Sequence, residues 1–414
     1  MKSKIDVYQG ERIPESAEAE VLALLRDGDL FRYKSASNSP AAKLEKEFAQ
    51  YMGVPFALSV NSCSSALFLS LRALGLAPGS RVIIPAFTFA AVPSAIVHAG
   101  CVPVLVNVRS DYRIDMEQFC SKIDDNIDAV MISHMRGHTS NMDGIVEACE
   151  KRSIPLIEDA AHSLGTRWDG KLVGTFGKIG CFSFQSYKLL NAGEGGMLIT
   201  EDPDLIARAI IMSGAYEYNW KKHPVVSDRF SYWQNKLPLY NVRMNNLSAV
   251  VARSQIKTID QRAEKGRSNY ELVAAILNSS PWLEVPESLE PEVRAPDSIQ
   301  FNLVGFEDDE QARQFETLAR EAGAPVKIIG LASDNARAFW NWEFIEPEGD
   351  LSQTRKVLQR ACDVRMPVRL GVEELEFVAN AIVNAAAEAK GNTAAIPAAT
   401  LPPAPVNSNV GEPA

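Results

Sequence analysis

The sequence predicts an α/β protein with a large domain built on a mostly parallel, doubly wound sheet and a smaller C-terminal α+β domain. Between about residue 55 and residue 200, short β-branched runs alternate with helical patterns, which is typical of a parallel sheet covered by helices. Most of these runs are apolar on both faces, as expected of strands that are buried on both sides. Beyond about residue 250 the alternation ends, and 414 residues are enough for two domains.

The elements of the large domain follow from these runs in chain order. Because ligands bind at the carboxyl ends of the strands in such a sheet, functional side chains are expected there. The predicted strands are residues 56–60, 81–84, 102–108, 129–133, 155–157, 180–184 and 196–200. The predicted helices between them are residues 62–76, 88–99 and 143–152.

The C-terminal part shows longer helical patterns and a single clear strand. We therefore place the large domain at residues 1–250 and the small domain at residues 251–390. Residues 391–414 contain almost no charge and no periodicity, so we expect a disordered tail. The predicted elements of the small domain are one long helix at 247–274, a strand at 298–304, and helices at 309–322 and 372–390.

Composition excludes several classes of protein. The net charge is −10, so no basic face is expected for nucleic acid or anionic lipid. The six cysteines form no CxxC pair and no Cys/His metal spacing, which predicts no metal site and a reduced compartment. The N-terminus lacks the apolar core of a signal peptide, and no apolar run is long enough to span a membrane. These features predict a soluble cytoplasmic protein.

Lys188 and Asp159 are the candidate catalytic residues. Lys188 lies in a segment rich in Phe, Tyr and Leu, where burial would disfavour the ammonium and leave a nucleophilic amine. Asp159 ends the apolar run at 154–159. A lysine that holds the cofactor and a carboxylate that pairs with the ring nitrogen are the two requirements of pyridoxal phosphate (PLP) chemistry. The alternatives are a solvated Lys188 and an Asp159 that only caps a helix.

Two further segments suit a flat, phosphorylated cofactor. Ser62, Cys63 and Ser64 follow a strand and open a helix, and a helix N-terminus favours an anion. The alternative is that Ser62 merely caps the helix. Phe89 follows another strand and could stack on a ring, although such a side chain more often fills the core.

Seven motifs in order resemble the DegT/DnrJ/StrS aminotransferases, which are PLP-dependent enzymes of fold type I that aminate sugars and related polyols. The resemblance runs from about residue 20 to residue 265. It implies a PLP-binding large domain and transfer of an amino group. The motifs that carry the resemblance are residues 61–67, 85–89, 158–162, 182–184, Lys188, 193–196 and 240–244.

The resemblance implies a role for each matching residue. Lys188 would hold the cofactor covalently, Asp159 would pair with the pyridine nitrogen, and His162 would lie near the ring hydroxyl. Phe89 would stack on the ring. The phosphate would be bound by Ser183 together with Ser62, Cys63 and Ser64. Asn241 would reach that phosphate from the neighbouring subunit, which implies a homodimer with shared active sites.

This chain departs from the family pattern at several places. Cys63 and Ser64 stand where Gly-Thr is usual, and His162 stands where Gln is most common. The segments 31–33 and 330–344 look like the branch that aminates an octulosonate sugar acid. Arg32, Arg136 and Arg337 lie in departing segments, and an arginine fork suits a carboxylate. We therefore expect a small carboxylated or highly hydroxylated acceptor, the alternative being that these arginines form salt bridges.

The predicted function is transfer of an amino group from an amino-acid donor, glutamate or glutamine, to the carbonyl of a sugar, sugar acid or related small metabolite. Dehydration or oxidative deamination on the same fold is one alternative, and a PLP-binding regulator without turnover is another. The family's sugar dehydratases replace the lysine with His, whereas this chain keeps Lys188. A regulator that binds nucleic acid would need a basic stripe, which this acidic chain lacks.

Overall fold

The computed structural model describes residues 5–34, 38–224 and 228–391, so the predicted tail beyond residue 391 lies outside the described residues. No helix within these ranges is long and apolar enough to cross a membrane. The helices are α1 Glu18–Asp27, α2 Pro40–Met52, α3 Cys63–Leu74, α4 Ala91–His98, α5 Met116–Lys122, α6 Met142–Lys151, α7 Pro203–Met212, α8 Asp228–Trp233, α9 Asn246–Arg253, α10 Ile259–Leu277, α11 Asp309–Glu321, α12 Ser352–Leu358 and α13 Val372–Ala389. The strands are β1 Phe56–Val60, β2 Arg81–Pro85, β3 Val102–Val106, β4 Ala129–Ser133, β5 Leu156–Asp159, β6 Arg167–Trp168, β7 Lys171–Leu172, β8 Ile179–Ser183, β9 Gly196–Thr200, β10 Leu283–Glu284, β11 Glu292–Val293, β12 Ser298–Leu303, β13 Lys327–Ile328 and β14 Ala361–Arg365.

The large sheet has seven strands in the order β1-β9-β8-β5-β4-β2-β3. Its pairs β2–β3, β2–β4, β4–β5 and β5–β8 are parallel, and β9 runs antiparallel to both of its neighbours. Each of the seven predicted runs overlaps one of these strands, and the predicted fold class is confirmed. One apolar cluster lies between the sheet and helices α2, α5 and α6, and a second lies between the sheet and helices α3, α4 and α7. Helices therefore cover both faces of the sheet, which explains why the strands are apolar on both faces.

The sheet register gathers the candidate residues at one edge. Ser133 at the end of β4 pairs with Asp159 at the end of β5, and Ser183 at the end of β8 pairs with Gly196. A side chain on Gly196 would lie 2.4 Å from the carbonyl carbon of Ser62 and 2.5 Å from the nitrogen of Cys63. Only glycine therefore lets β9 begin beside the first turn of α3.

The small domain is built on the antiparallel sheet β10-β12-β14-β13. Helices α10, α11 and α13 cover this sheet, with Phe301, Phe315 and Ile382 in the shared core. Val7, near the N-terminus, belongs to the same core. Strands β6 and β7, which the sequence did not predict, join β11 in a third sheet. The domain boundary at residue 250 stays a prediction.

The single long helix predicted at 247–274 is wrong, because the chain breaks between α9 and α10. The break contains Gln255, which is fully buried. Its side-chain amide donates to the carbonyl of Asn191 at 2.7 Å and accepts from the N–H of Asn191 at 3.1 Å. A buried amide needs such partners, and the break places it against the loop that carries Lys188.

Candidate active site

One cavity of about 590 Å³ lies at the carboxyl ends of the large sheet and is closed on one side by residues of the small domain. It brings together residues that are far apart in the sequence. The predicted site residues that line the cavity are Ser62, Cys63, Ser64, Phe89, Arg136, Asp159, His162, Ser183, Lys188 and Arg337. Two predicted residues, Arg32 and Asn241, do not line it.

The Lys188 side chain ends in this cavity beside an imidazole. Its Nζ lies 2.8 Å from Nε2 of His162, and its backbone N–H donates to the carbonyl of Gln185. Burial lowers the pKa of Lys188 to about 8. Burial, together with the Lys188 charge, lowers the pKa of His162 to about 3. His162 is therefore neutral at physiological pH and can accept a hydrogen bond from the amine.

Asp159 is a buried carboxylate that is oriented by neighbouring donors. It is 5% exposed. Ser133 Oγ donates to its Oδ2 at 2.8 Å, and the N–H of Ala161 donates to its Oδ1 at 3.2 Å. The thiol of Cys63 lies 3.9 Å from the same Oδ1. No ion pair among the described residues includes Asp159, although its charge, like that of Asp297, opposes the lowering of the Lys188 pKa.

The first turn of α3 provides a place for a phosphate. Ser62 caps this helix, since its Oγ accepts from the N–H of Ser65 at 3.1 Å. The capping alternative is thus correct for its side chain, yet residues 62–64 also line the cavity together with Ser183. N–H groups of a first turn lack intrahelical acceptors, and the helix dipole favours an anion there.

Phe89 lies at the rim of the cavity rather than in the core. Its side chain is 49% exposed, so one ring face is free to stack on a flat molecule. The neighbouring Phe87 is fully buried and takes the core position that the alternative assigned to these aromatic residues.

The assignment of Arg32 to substrate binding is corrected by the structure. Arg32 is 2% exposed, and its guanidinium forms a bidentate pair with Glu45 at 2.7 and 3.0 Å. Nδ1 of the buried His223 lies 3.2 Å from the same guanidinium. Although burial opposes ionisation, the Arg32 charge lowers the pKa of Glu45 well below its usual range. Arg32 therefore neutralises a buried carboxylate and does not reach the cavity.

Arg136 and Arg337 both reach the cavity, and both are paired with the carboxylate of Asp363, at 2.7 and 2.5 Å.

Asn241 is exposed and lies outside the cavity of its own subunit. Its role toward a neighbouring subunit stays a prediction. Its backbone neighbour Val242 accepts from the N–H of Asn61, which ties this segment to the end of β1.

Sequence reasoning missed several residues that line or shape the cavity. Gln185 could have been found, because it directly follows the matched motif at 182–184. Ser133 ends a predicted strand, but its contact with Asp159 depends on strand pairing. Arg365 lies 178 residues beyond its partner Tyr187, and no local pattern marks it.

The chain matches a family model described as the DegT/DnrJ/EryC1/StrS aminotransferase family over residues 13–383. The protein belongs to this family. The 3-amino-5-hydroxybenzoate synthase of Amycolatopsis mediterranei is 30% identical over 79% of this chain and 83% of its own length. The GDP-perosamine synthase of Escherichia coli O157:H7 is 32% identical over 59% of this chain and 65% of its own length.

Solved structures agree with this membership. A 3-amino-5-hydroxybenzoic acid synthase superposes with a TM-score of 0.78 at 26% identity. The superposition covers 92% of this chain and 100% of the synthase chain. A GDP-4-keto-6-deoxymannose-3-dehydratase, solved with PLP and glutamate, gives a TM-score of 0.78 at 21% identity, over 90% and 99% of the two chains. The protein is a PLP-dependent aminotransferase that uses an amino donor and a carbonyl acceptor.

The residues of the cavity fit PLP. A protonated pyridine nitrogen would supply the ion-pair partner that the buried Asp159 lacks among the described residues. A phosphate would meet the first turn of α3, and Lys188 offers a partly neutral amine for the cofactor's carbonyl carbon. The polar groups of the cavity therefore match the pyridine nitrogen, the phosphate and the carbonyl carbon of the cofactor.

We expect Arg32→Met to destabilise the protein by about 3–5 kcal/mol, because Glu45 would remain buried without its partner. Urea denaturation measures this loss, and the KM for the amino donor should stay unchanged. Arg152→Met is the control, since Arg152 forms an exposed pair with Asp125 that contributes less than about 1 kcal/mol. If Arg32→Met instead raised the KM for the amino donor and left the stability unchanged, Arg32 would be a substrate-binding residue and our correction would be wrong.

We also expect Lys188 to be the most reactive lysine of the cofactor-free protein near pH 8. With a pKa of about 8 instead of 10.5, the fraction of neutral amine at pH 8 is roughly 100-fold higher. The measurement is the rate of cyanate modification of each lysine as a function of pH, followed by mass spectrometry of the peptides. The exposed Lys151 is the control, because the Glu147 carboxylate raises its pKa. Identical profiles for the two lysines would refute the assignment.

Proposed function

We propose that this enzyme transfers an amino group from glutamate or glutamine to the carbonyl of a sugar, sugar acid or related small metabolite, with Lys188 carrying the proton. The observation that supports the proposal is that the Lys188 amine and the Asp159 carboxylate lie in one cavity, beside the first turn of α3. Their spacing in the sequence does not by itself require this meeting.

Each residue has a task in this proposal. PLP, when bound, withdraws electrons from the substrate carbon and makes its proton acidic. Lys188, with its lowered pKa, accepts that proton from one carbon and donates it at another position. Asp159 would hold the proton on the ring nitrogen of bound PLP, and Ser133 keeps this carboxylate in place. His162 stays neutral and would hydrogen-bond the ring oxygen.

The remaining cofactor residues bind and orient. Residues 62–64 and Ser183 would bind the phosphate through hydroxyl and N–H donors at the N-terminus of α3. Phe89, at the rim of the cavity, would cover one face of the ring. Such contacts would orient the reacting carbon toward Lys188, and this positioning lowers the barrier of the proton transfer.

The acceptor is proposed to be a small carboxylated or highly hydroxylated carbonyl compound. One relative is named for a small aromatic carboxylic acid, 3-amino-5-hydroxybenzoate, and another for a nucleotide-linked sugar. Arg136 and Arg337 line the cavity, which favours the first kind. The dehydratase structure shares the fold, and no feature of the cavity favours dehydration over amino transfer.

We further propose a homodimer with shared active sites, located in the cytoplasm. Asn241 is exposed and is not among the residues that line the cavity of its own subunit, which is compatible with a contact to a second subunit. Tyr216 and Tyr218, on the segment that precedes it, are 40% and 57% exposed. Exposed aromatic side chains are enriched in protein interfaces.

Lys188→Ala should abolish turnover, with a loss of at least about 1000-fold because the proton carrier is missing, while PLP still binds through its phosphate and ring contacts. Borohydride reduction of the wild-type enzyme should attach the pyridoxyl group to the peptide that contains Lys188. Lys178→Ala, at an exposed lysine, is the control and should behave as the wild type. A label on any other lysine would disprove the assignment.

Asn241→Ala should weaken PLP retention without unfolding the subunit. When it is mixed and refolded with Lys188→Ala, a mixed dimer would contain one intact site. Random assortment makes half of the dimers mixed, so about one quarter of the wild-type activity should return. Each variant refolded alone is the control, and no recovery in the mixture would count against a shared site.

A further inference from the structure

A buried carboxylate to which the proposed mechanism gives no task lies behind the Lys188 amine. Asp297, the residue before β12, is 7% exposed, and it lines a small void together with His162, Ser183 and Lys188. Nδ1 of His162 lies 3.1 Å from Nζ of Lys188 and 3.8 Å from Oδ2 of Asp297. The imidazole therefore lies between the amine and the carboxylate.

The Asp297 carboxylate is ionised and held in place. Ser298 Oγ donates to its Oδ1 at 3.0 Å, and Nη1 of Arg136 lies 4.0 Å from the same oxygen. Although burial opposes ionisation, the interaction with His162 and the charges of Arg365 and Arg136 hold the pKa of Asp297 well below its usual range. A full negative charge is therefore present beside the imidazole at physiological pH.

Lys188 is influenced by this charge more than by that of Asp159. Burial lowers the pKa of Lys188 to about 8, and the charge of Arg136 lowers it further. Asp297 opposes this lowering most strongly, and Asp159 opposes it less. Arg136 has a closer carboxylate of its own, because its Nη2 donates to Asp363 at 2.7 Å.

The other charged residues of the cavity must be weighed as well. Four of the five are exposed to solvent or paired with another residue, namely Glu194, Lys327, Asp334 and Arg337. The fifth, Arg365, is 9% exposed and belongs to no ion pair among the described residues, and its charge helps to lower the pKa of Asp297. Arg365 and Lys188 therefore compete for the Asp297 carboxylate.

The proposed proton transfer requires both protonation states of Lys188. When the amine accepts a proton from the substrate carbon it becomes an ammonium, which burial disfavours and a nearby carboxylate stabilises. Asp159 is assigned to the ring nitrogen of bound PLP. Of the two carboxylates that raise the pKa of Lys188, Asp297 is thus the one that remains for the lysine.

We propose that Asp297 is a positioning residue for the proton transfer, and that it supplies the countercharge for the ammonium form of Lys188 across the neutral imidazole of His162. The inference rests on the proposed function and deepens it, because it adds a residue to the same site. The alternative is that Asp297 is only a structural partner of Arg136 and Arg365.

The first measurement is the pH profile of cyanate modification of Lys188 in the cofactor-free protein. Loss of the negative charge in Asp297→Asn should lower the pKa of Lys188, so the midpoint should move from about pH 8 to about pH 7 or below. At pH 7 the lysine should then react about fivefold faster than in the wild type. Asp297→Glu, which keeps the charge, should keep the midpoint near pH 8. Asp309→Asn removes an exposed carboxylate of the same domain and should leave the midpoint unchanged.

The second measurement is the spectral half-reaction of the PLP-loaded enzyme with L-glutamate and with glutamate that carries deuterium at the α carbon. Asp297→Asn should slow this half-reaction about three- to tenfold and increase the deuterium isotope effect, because a weaker base makes proton transfer more rate-limiting. Asp297→Ser is a second neutral variant with a smaller side chain. Thermal unfolding checks that each variant is folded.

A purely structural Asp297 would lower thermal stability and leave both readouts as in the wild type. Either an unchanged midpoint or an unchanged isotope effect in the folded neutral variants overturns the proposal. If glutamate and glutamine both fail to change the spectrum of the wild type, the proposed function fails instead, and the cyanate profiles still decide whether Asp297 is the countercharge of Lys188.

Discussion

The pairing register of β4, β5, β8 and β9 decides which side chains meet in the cavity. It sets Ser133 beside Asp159 and Ser183 beside Gly196. Since successive side chains of a strand face opposite sides, a slip of one residue would turn Asp159 away and present Glu158 instead. Glu158 resists this slip, because its buried carboxylate accepts three backbone N–H groups of the turn at 174–177. The positions of Ser133, Asp159 and Ser183 in the site therefore depend on this register.

Unpaired buried charge is the second organising feature. Asp159 leaves a negative charge without an ion-pair partner in the described part of the chain, and Arg365 leaves a positive one, and both line the same cavity. Elsewhere, the buried Arg32 and Glu45 are paired with each other, whereas the buried Arg294 donates to the Tyr270 hydroxyl and the Arg136 carbonyl. A bound cationic group beside Asp159 would offset its buried charge, which links the stability of the site to its occupancy.

The loop that carries Lys188 is held by groups from the C-terminal half of the chain. Three alternate carbonyls of this loop accept hydrogen bonds from side chains that lie on or next to α10 and β14. This arrangement explains why α9 and α10 are separate helices, and it couples the placement of Lys188 to the small domain. The hydrogen bonds run from Arg365 to Tyr187, from Arg262 to Leu189 and from Gln255 to Asn191, at 2.7, 2.9 and 2.7 Å.

The sequence by itself determined the alternating strands and helices and the motifs around Lys188 and Asp159, because periodicity and neighbouring residues are recorded locally. Only the tertiary structure decided what each arginine does. Arg32 and Arg365 look alike in sequence, yet one meets Glu45 and the other has no carboxylate partner among the described residues. The function of a charged side chain depends on which charges fold against it, and those come from distant parts of the chain.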